Sequence, residues 1–221
     1  MSTQSYKVVY EGGSSEITEK KSRFIANAAP VQSEEEAVAY INEIKKKYWD
    51  ARHSCYAFTI GGNHELTRCS DDGEPSGTAG RPILDILLRE DIHNAVVVVT
   101  RYFGGVLLGT GGLVRAYQKA AQAGLEQAVV IEKQRGSLLE IETDYNGLGK
   151  IQYILAQHEI KIRDIVYTQK VQIQIVVPSI QKDEIIKAVT EGTNGTAKFE
   201  QGDEVEFAII SKNIEIFEKN T

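Results

Sequence analysis

Residues 95–99 read Ala-Val-Val-Val-Val, and nothing polar interrupts them before Thr100. A strand with one wet face alternates apolar and polar residues, so a run this uniform must be covered on both faces. Whatever fold the chain adopts, it must therefore lay structure above and below this strand. The next stretch, "RYFGGVLLGTGGLVRAY" from Arg101 to Tyr117, places five glycines between the strand and a helix. That helix is expected from about Leu113 to Ala128. Its inward row is Leu113, Tyr117, Ala121 and Leu125, and its outward row Arg115, Lys119, Gln122 and Glu126. Two explanations of the glycines stay open. Either they make a tight corner that needs positive φ, or their bare backbone is there to meet a ligand.

Named phosphate loops do not settle the choice. Gly104 and Gly109 have P-loop spacing, but Thr110 and Gly111 stand where lysine and Ser/Thr belong. Gly109 and Gly111 begin a dinucleotide fingerprint whose third position is Val114 instead of glycine. The general mechanism survives both failures, because free N–H groups at a helix start attract an anion. Arg115, within the first turn or so, adds a charge-assisted contact.

A second glycine-rich helix entry lies in "SDDGEPSGTAGRP", Ser70 to Pro82. Asp71, Asp72 and Glu74 are the kind of cluster that holds Mg²⁺ against a phosphate or serves as acid and base. The same residues also suit an ordinary surface loop, since D-G and P-S-G form turns. His53 and Cys55 share one side of a strand, and with His64 and Cys69 they can be drawn as a zinc set. The tight cysteine pairs of structural zinc sites are missing. No metal and no cofactor are therefore expected, and Cys55 is expected to be a small core residue rather than a nucleophile. His93 and His158 are isolated in the sequence and are assigned no chemistry. There is no G-x-S-x-G elbow and no H-E-x-x-H.

Along the rest of the chain, "YKVVYEG" and "RFIANAAPV" are expected to be strands around a Gly12-Gly13 turn. Ser33 and Glu36 form a capping box that opens a helix with Ala37, Ile41, Ile44 and Tyr48 on one face. "CYAFTIG" is a strand, 62–80 a loop, and "RPILDILLRE" a helix with Pro82 first and Ile83, Leu84, Leu87 and Leu88 inward. After Arg135–Ser137 the pattern becomes βαββαβ, with a second helix capped at Ser179 or its neighbours. The fold class is α+β in two domains, 1–135 and 136–221.

Of the 221 residues, 42% are hydrophobic and 25% charged, as in ordinary globular chains. No apolar stretch approaches the roughly 20 residues of a membrane helix. The N-terminus lacks the basic flank and apolar core of a leader, and two cysteines are too few for a disulfide scaffold. A reducing cytoplasm is expected. The net charge of −6 opposes nucleic acid overall. An RNA surface would have to be local, at Lys20, Lys21 and Arg23, or at Lys45–Lys47 with Arg52.

Four segments resemble the bacterial YigZ branch of the IMPACT family: "KKSRFIA" (20–26), "DARHSCYAF" (50–58), "DDGEPSGTAGRPIL" (71–84) and "VVVVTRYFGGVLLGTGGLVRAY" (96–117). The resemblance covers the whole chain. It implies an N-terminal α/β domain of the ribosomal-protein/GHMP-kinase type with a left-handed βαβ crossover. It also implies a ferredoxin-like C-terminal domain similar to the last domain of elongation factor G. Eukaryotic relatives regulate translation by competing for the activator of a starvation-responsive initiation-factor kinase. The RWD module that precedes their shared domain has no counterpart in this sequence, so that specific role does not transfer. What carries over is a ligand-binding surface of Arg23, Arg52, His53, Asp71, Asp72, Glu74, Arg101, Tyr102, Phe103, Gly104, Gly105, Gly109, Gly111, Gly112 and Arg115. The expected function is a translation-associated binding protein with RNA or a ribosome-associated protein as partner. The alternatives are an enzyme acting on a phosphorylated small molecule and a protein–protein module.

Overall fold

The computed structural model describes residues 5–211 and 213–217, so the first four residues of the N-terminal stretch lie outside it. The chain is an α+β protein of two compact units, 1–132 and 133–221.

The first unit contains β1 (Ser5–Glu11), β2 (Gly13–Glu19), β3 (Ser22–Pro30), α1 (Glu34–Lys47), β4 (His53–Ile60), β5 (Leu66–Ser70), α2 (Gly80–Arg89), β6 (Ile92–His93), β7 (Ala95–Tyr102) and α3 (Thr110–Glu126). Its main sheet has the order β2-β3-β7-β4-β5, with every pairing antiparallel, while β1 pairs with β6 in parallel. β7 is central, which explains its uniform sequence. Val97 and Val99 pack with α2 and α3 around Ile83, Leu87, Leu113 and Tyr117, whereas Val96 and Val98 pack with α1 around Ala37, Ile41 and Ile44. Each valine so buried contributes about 1.5–3 kcal/mol.

The local signals are met in part. Ser33 Oγ accepts from the Glu36 amide at 3.2 Å, and the Glu36 carboxylate accepts from the Gln32 amide at 2.7 Å. The returning bond of the capping box thus lands one residue before the cap. Gly12-Gly13 does not join β1 directly to β3, because β2 intervenes and pairs with β3. β2 carries one large apolar residue, Ile17, and β5 is a half-exposed strand at the sheet edge. Neither offers the buried alternation that marks a strand in sequence. Pro82 is the third residue of α2, not the first, since that helix begins at Gly80. Ile86 is buried in the core, whereas Leu88, expected to face inward, is exposed.

The second unit holds most of β8 (Val129–Thr143), then α4 (Tyr145–Gln157), β9 (Ile162–Tyr167), β10 (Val171–Pro178), α5 (Lys182–Gly192), β11 (Lys198–Ile210) and β12 (Asn213–Phe217). The order β9-β10-β8-β11-β12 is antiparallel throughout. Ile141, Ile173 and Ile175 of this sheet and Ile151, Leu155, Ile185 and Val189 of α4 and α5 form its core. Gln181, not Ser179, occupies the N-cap of α5, and it makes no side-chain cap bond.

Candidate functional site

The register of the main sheet gathers most of the sequence-predicted residues at one end. Arg23 on β3 stands opposite Tyr102 on β7, and His53 on β4 opposite Arg101. The loops before α2 and before α3 leave from this same end. A buried polar cluster joins the loop before α2 to β7 and α3. Glu74 Oε1 accepts from Arg101 Nη1 at 2.7 Å and from the Tyr117 hydroxyl at 2.8 Å. The Arg101 guanidinium lies 5.5 Å from the Phe24 ring centre and 5.6 Å from that of Phe103. Arg101 is only 6% exposed, so it does not line a surface groove as the sequence led us to expect.

The acidic residues are likewise engaged. Asp71 accepts from the Gly77, Ala79 and Gly80 amides at 2.8, 3.0 and 2.9 Å, which caps α2 from a distance in sequence. Burial pushes its carboxyl up, but those three amides outweigh the burial and hold it below the usual carboxylate range. Asp72 bridges Lys45 Nζ and the Ser54 amide, each at 2.7 Å. His53 Nδ1 donates to the Asp72 carbonyl at 2.9 Å. The three carboxylates therefore hold the loop together.

Cys55 is fully buried, and its thiol contacts the Asp71 carbonyl and the Tyr117 hydroxyl. Burial pushes the thiol up to about 12, which removes it as a nucleophile at neutral pH. Among the described residues no metal-ligating cluster contains His53, Cys55 or Cys69. The zinc set drawn from the sequence does not assemble.

The glycine stretch divides into two functions. Gly104 is a corner: a Cβ there would overlap the Lys21 carbonyl, and its amide donates to Ser22 Oγ at 3.2 Å. Beyond it the backbone opens. α3 starts at Thr110, three residues earlier than expected, so Gly111 and Gly112 fall in its first turn and Arg115 in its second. Gly109 is the N-cap with φ 73, a conformation that favours glycine, and no side chain caps the helix. The amides of Thr110, Gly111 and Gly112 find no acceptor among the described residues, and Gly109–Gly111 are exposed. A Cβ at Gly111 would meet nothing nearer than Arg115 Nη1 at 3.7 Å. Packing does not require glycine there.

Beside this helix start lies a cavity of about 240 Å³ lined by Glu19, Lys20, Leu108, Gly112, Arg115 and Lys119. Three of those side chains are cationic and one is anionic. The sequence placed Lys119 only on an outward helical row; its i, i+4 spacing from Arg115 was the signal available. Arg23 is exposed, pairs with Glu16 at 2.8 Å and lies 5.4 Å from the Tyr102 ring centre. The Tyr102 hydroxyl donates to Asp50 at 2.7 Å. Arg52 is exposed and has no ion-pair partner among the described residues. Phe103, Val106 and Leu107 form an exposed apolar loop, with Leu107 83% accessible.

Fold and site together define a two-unit α+β protein whose first unit presents an uncapped glycine helix start beside a basic cavity. The Impact N-terminal domain family matches residues 20–125, and a domain family of unknown function, DUF1949, matches 141–196. IMPACT family member YvyE of Bacillus subtilis is 40% identical over 90% of this chain and 92% of its own. IMPACT family member YigZ of Escherichia coli is 34% identical over 80% of this chain and 88% of its own. A crystal structure of a hypothetical protein, 31% identical, covers 89% of this chain and 97% of that one with a TM-score of 0.58. The chain belongs to the IMPACT family.

Proposed function

We propose that this protein is a translation-associated regulatory binding protein whose first unit holds an anionic group at the start of α3. The anion is RNA backbone or belongs to a ribosome-linked partner. The observation that carries the reading is the open first turn of α3: three amides without an acceptor or a side-chain cap among the described residues, and a glycine at 111 that packing does not demand. Amides so placed, at the positive end of a helix dipole, bind negative charge. Lys20, Arg115 and Lys119 supply a local positive field on a chain whose net charge is −6. Arg23, Arg52 and His53 extend the surface along the sheet end, and the exposed Phe103 offers a face for a base.

The same proposal takes 1–135 as a domain of the ribosomal-protein/GHMP-kinase type with a left-handed crossover. It takes 136–221 as ferredoxin-like, similar to the last domain of elongation factor G, in a cytoplasmic protein. The strand order β11-β8-β10-β9 supports the second assignment. A second reading, a protein-docking surface, is favoured by the exposed Leu107, Val106 and Phe103. The enzymatic alternative loses support because Asp71, Asp72 and Glu74 are each bonded within the protein.

The test is fluorescence anisotropy of a labelled single-stranded RNA across a salt series. Wild type should bind with a steep salt dependence. The Arg115→Ala/Lys119→Ala variant should bind more weakly, with a slope shallower by about 0.7 for each phosphate it no longer neutralises. Absence of any salt-sensitive binding by wild type at low ionic strength overturns the RNA reading. In that case, capture of a ribosomal factor that survives nuclease treatment and disappears with Leu107→Asp supports the docking surface.

A further inference from the structure

At the opposite end of the main sheet, where β4 finishes and β7 begins, three side chains converge that take no part in the anion site. His64 lies in the turn between β4 and β5, and Asp91 and His93 lie between α2 and β7. Asp91 Oδ1 is 3.4 Å from His64 Nε2 and 2.9 Å from His93 Nε2. The ligand atoms of all three residues lie within 4.8 Å of one another. We propose that His64, Asp91 and His93 form a binding site for a borderline divalent cation of the Zn²⁺ or Co²⁺ class.

The hydrogen bonding of His93 carries the argument. Its Nδ1 is 3.1 Å from the Gly61 carbonyl. A carbonyl only accepts, so Nδ1 bears the hydrogen and donates. This is the arrangement that orients metal-ligating histidines, whose second nitrogen donates to a backbone carbonyl. With Nδ1 donating, Nε2 is the ring nitrogen that faces a carboxylate oxygen, 2.9 Å away. Two acceptors tolerate that approach only when a positive charge stands between them. His64 brings a second Nε2 to the same oxygen, which makes two imidazoles and one carboxylate, a donor set suited to zinc and its neighbours.

His64 and Asp91 have φ of 53 and 55, and this left-handed backbone sets the directions in which the two side chains leave their turns.

The rings of His64 and His93 stack with centres 3.8 Å apart and planes 15° apart. One cation cannot lie in both planes, so coordination tilts the rings apart. His93 is 2% exposed and held by Gly61 and, edge-on, by Tyr6. His64, in a surface turn, is the ring that moves. Asp91 is 57% exposed, which leaves a fourth coordination position toward solvent.

The experiment uses the full chain stripped with a chelator and titrated with Zn²⁺ by calorimetry and with Co²⁺ by visible absorption. We expect one cation per chain and a Co²⁺ spectrum with the strong bands of four-coordinate nitrogen–oxygen ligation. His64→Ala and Asp91→Asn should each weaken binding by about tenfold or more. Cys69→Ser, which removes the exposed thiol, should leave it unchanged. Because His93 is buried, His64→Ala carries the test, and circular dichroism checks that it is folded. No saturable binding of either metal overturns the site and leaves a proton as the charge between His93 and Asp91. An unchanged His64→Ala titration overturns it as well.

Discussion

The helix starts of α2 and α3 lie at one end of one sheet, both are built from glycine-rich loops, and they are finished in opposite ways. At α2 a carboxylate of the protein, Asp71, occupies the anion position and takes three amides. At α3 the amides of Thr110, Gly111 and Gly112 find no acceptor among the described residues, and no side chain there caps them. The two helices share a core, but the α2 start is buried at Thr78–Gly80, where its amides need a partner from the chain, whereas the α3 start is exposed at Gly109–Gly111. A helix start buried within the fold is closed by the chain itself. One left open on a stable scaffold is available to something outside the chain. The Glu74–Arg101–Tyr117 cluster keeps the open start in place, since Tyr117 belongs to α3 and Glu74 to the loop that Asp71 closes.

The largest effect should come from cutting that link. Glu74→Ala leaves the Arg101 guanidinium buried without its counter-charge and the Tyr117 hydroxyl without an acceptor. Breaking a buried pair from one side costs about 3–5 kcal/mol. Denaturant unfolding should show a loss of that size in the first unit. A loss near zero would mean that the two helix starts are stabilised independently, and the comparison would break there.

Next comes the cap itself. Asp71→Asn keeps an acceptor for Ala79 and Gly80 but turns an amide group toward the Gly77 N–H. With hydrogen bonds to a charged group worth about 1.5–3 kcal/mol, stability should fall by a value in that range. The pH dependence has a definite sign. The folded carboxyl is held below its unfolded value. Its contribution is therefore complete above the ordinary aspartate range near ~3.9 and is lost as pH falls toward the folded value. Wild type should lose stability over that acidic window, and Asp71→Asn should lose less. Equal slopes for the two proteins would show that the Asp71 charge does not hold the loop.

Much of this was legible in the sequence. The unbroken Ala95–Val99 run announced a strand covered on both faces, and the inward row of α3 emerged as buried. What escaped were features that depend on partners distant in the chain. β2 and β5 are strands because β3 and β4 accept them at the sheet edges, not because their own residues alternate strongly. The acidic trio looked the same whether it faced a metal or amides, and only the fold shows Asp71 beneath α2 and Glu74 beside Arg101. Arg101 stood among the surface arginines because a sequence gives no hint of the carboxylate that draws one inward. His64 and His93 lie in separate segments, so no spacing rule joined them.

The smallest effect is the most discriminating. At Gly104 an added methyl meets the Lys21 carbonyl, and Gly104→Ala should cost about 1–3 kcal/mol, as overpacking does. At Gly111 the methyl enters open space on a helical backbone. Gly111→Ala should stabilise the first unit by up to about 1 kcal/mol, since alanine loses less conformational freedom on folding than glycine. The same methyl stands over the open first turn of α3, so RNA binding should weaken although the fold gains. A gain in stability with a loss of binding identifies a glycine kept for a ligand. A loss of stability at Gly111 makes it a second corner like Gly104, and the contrast between the two helix starts then reduces to chain geometry.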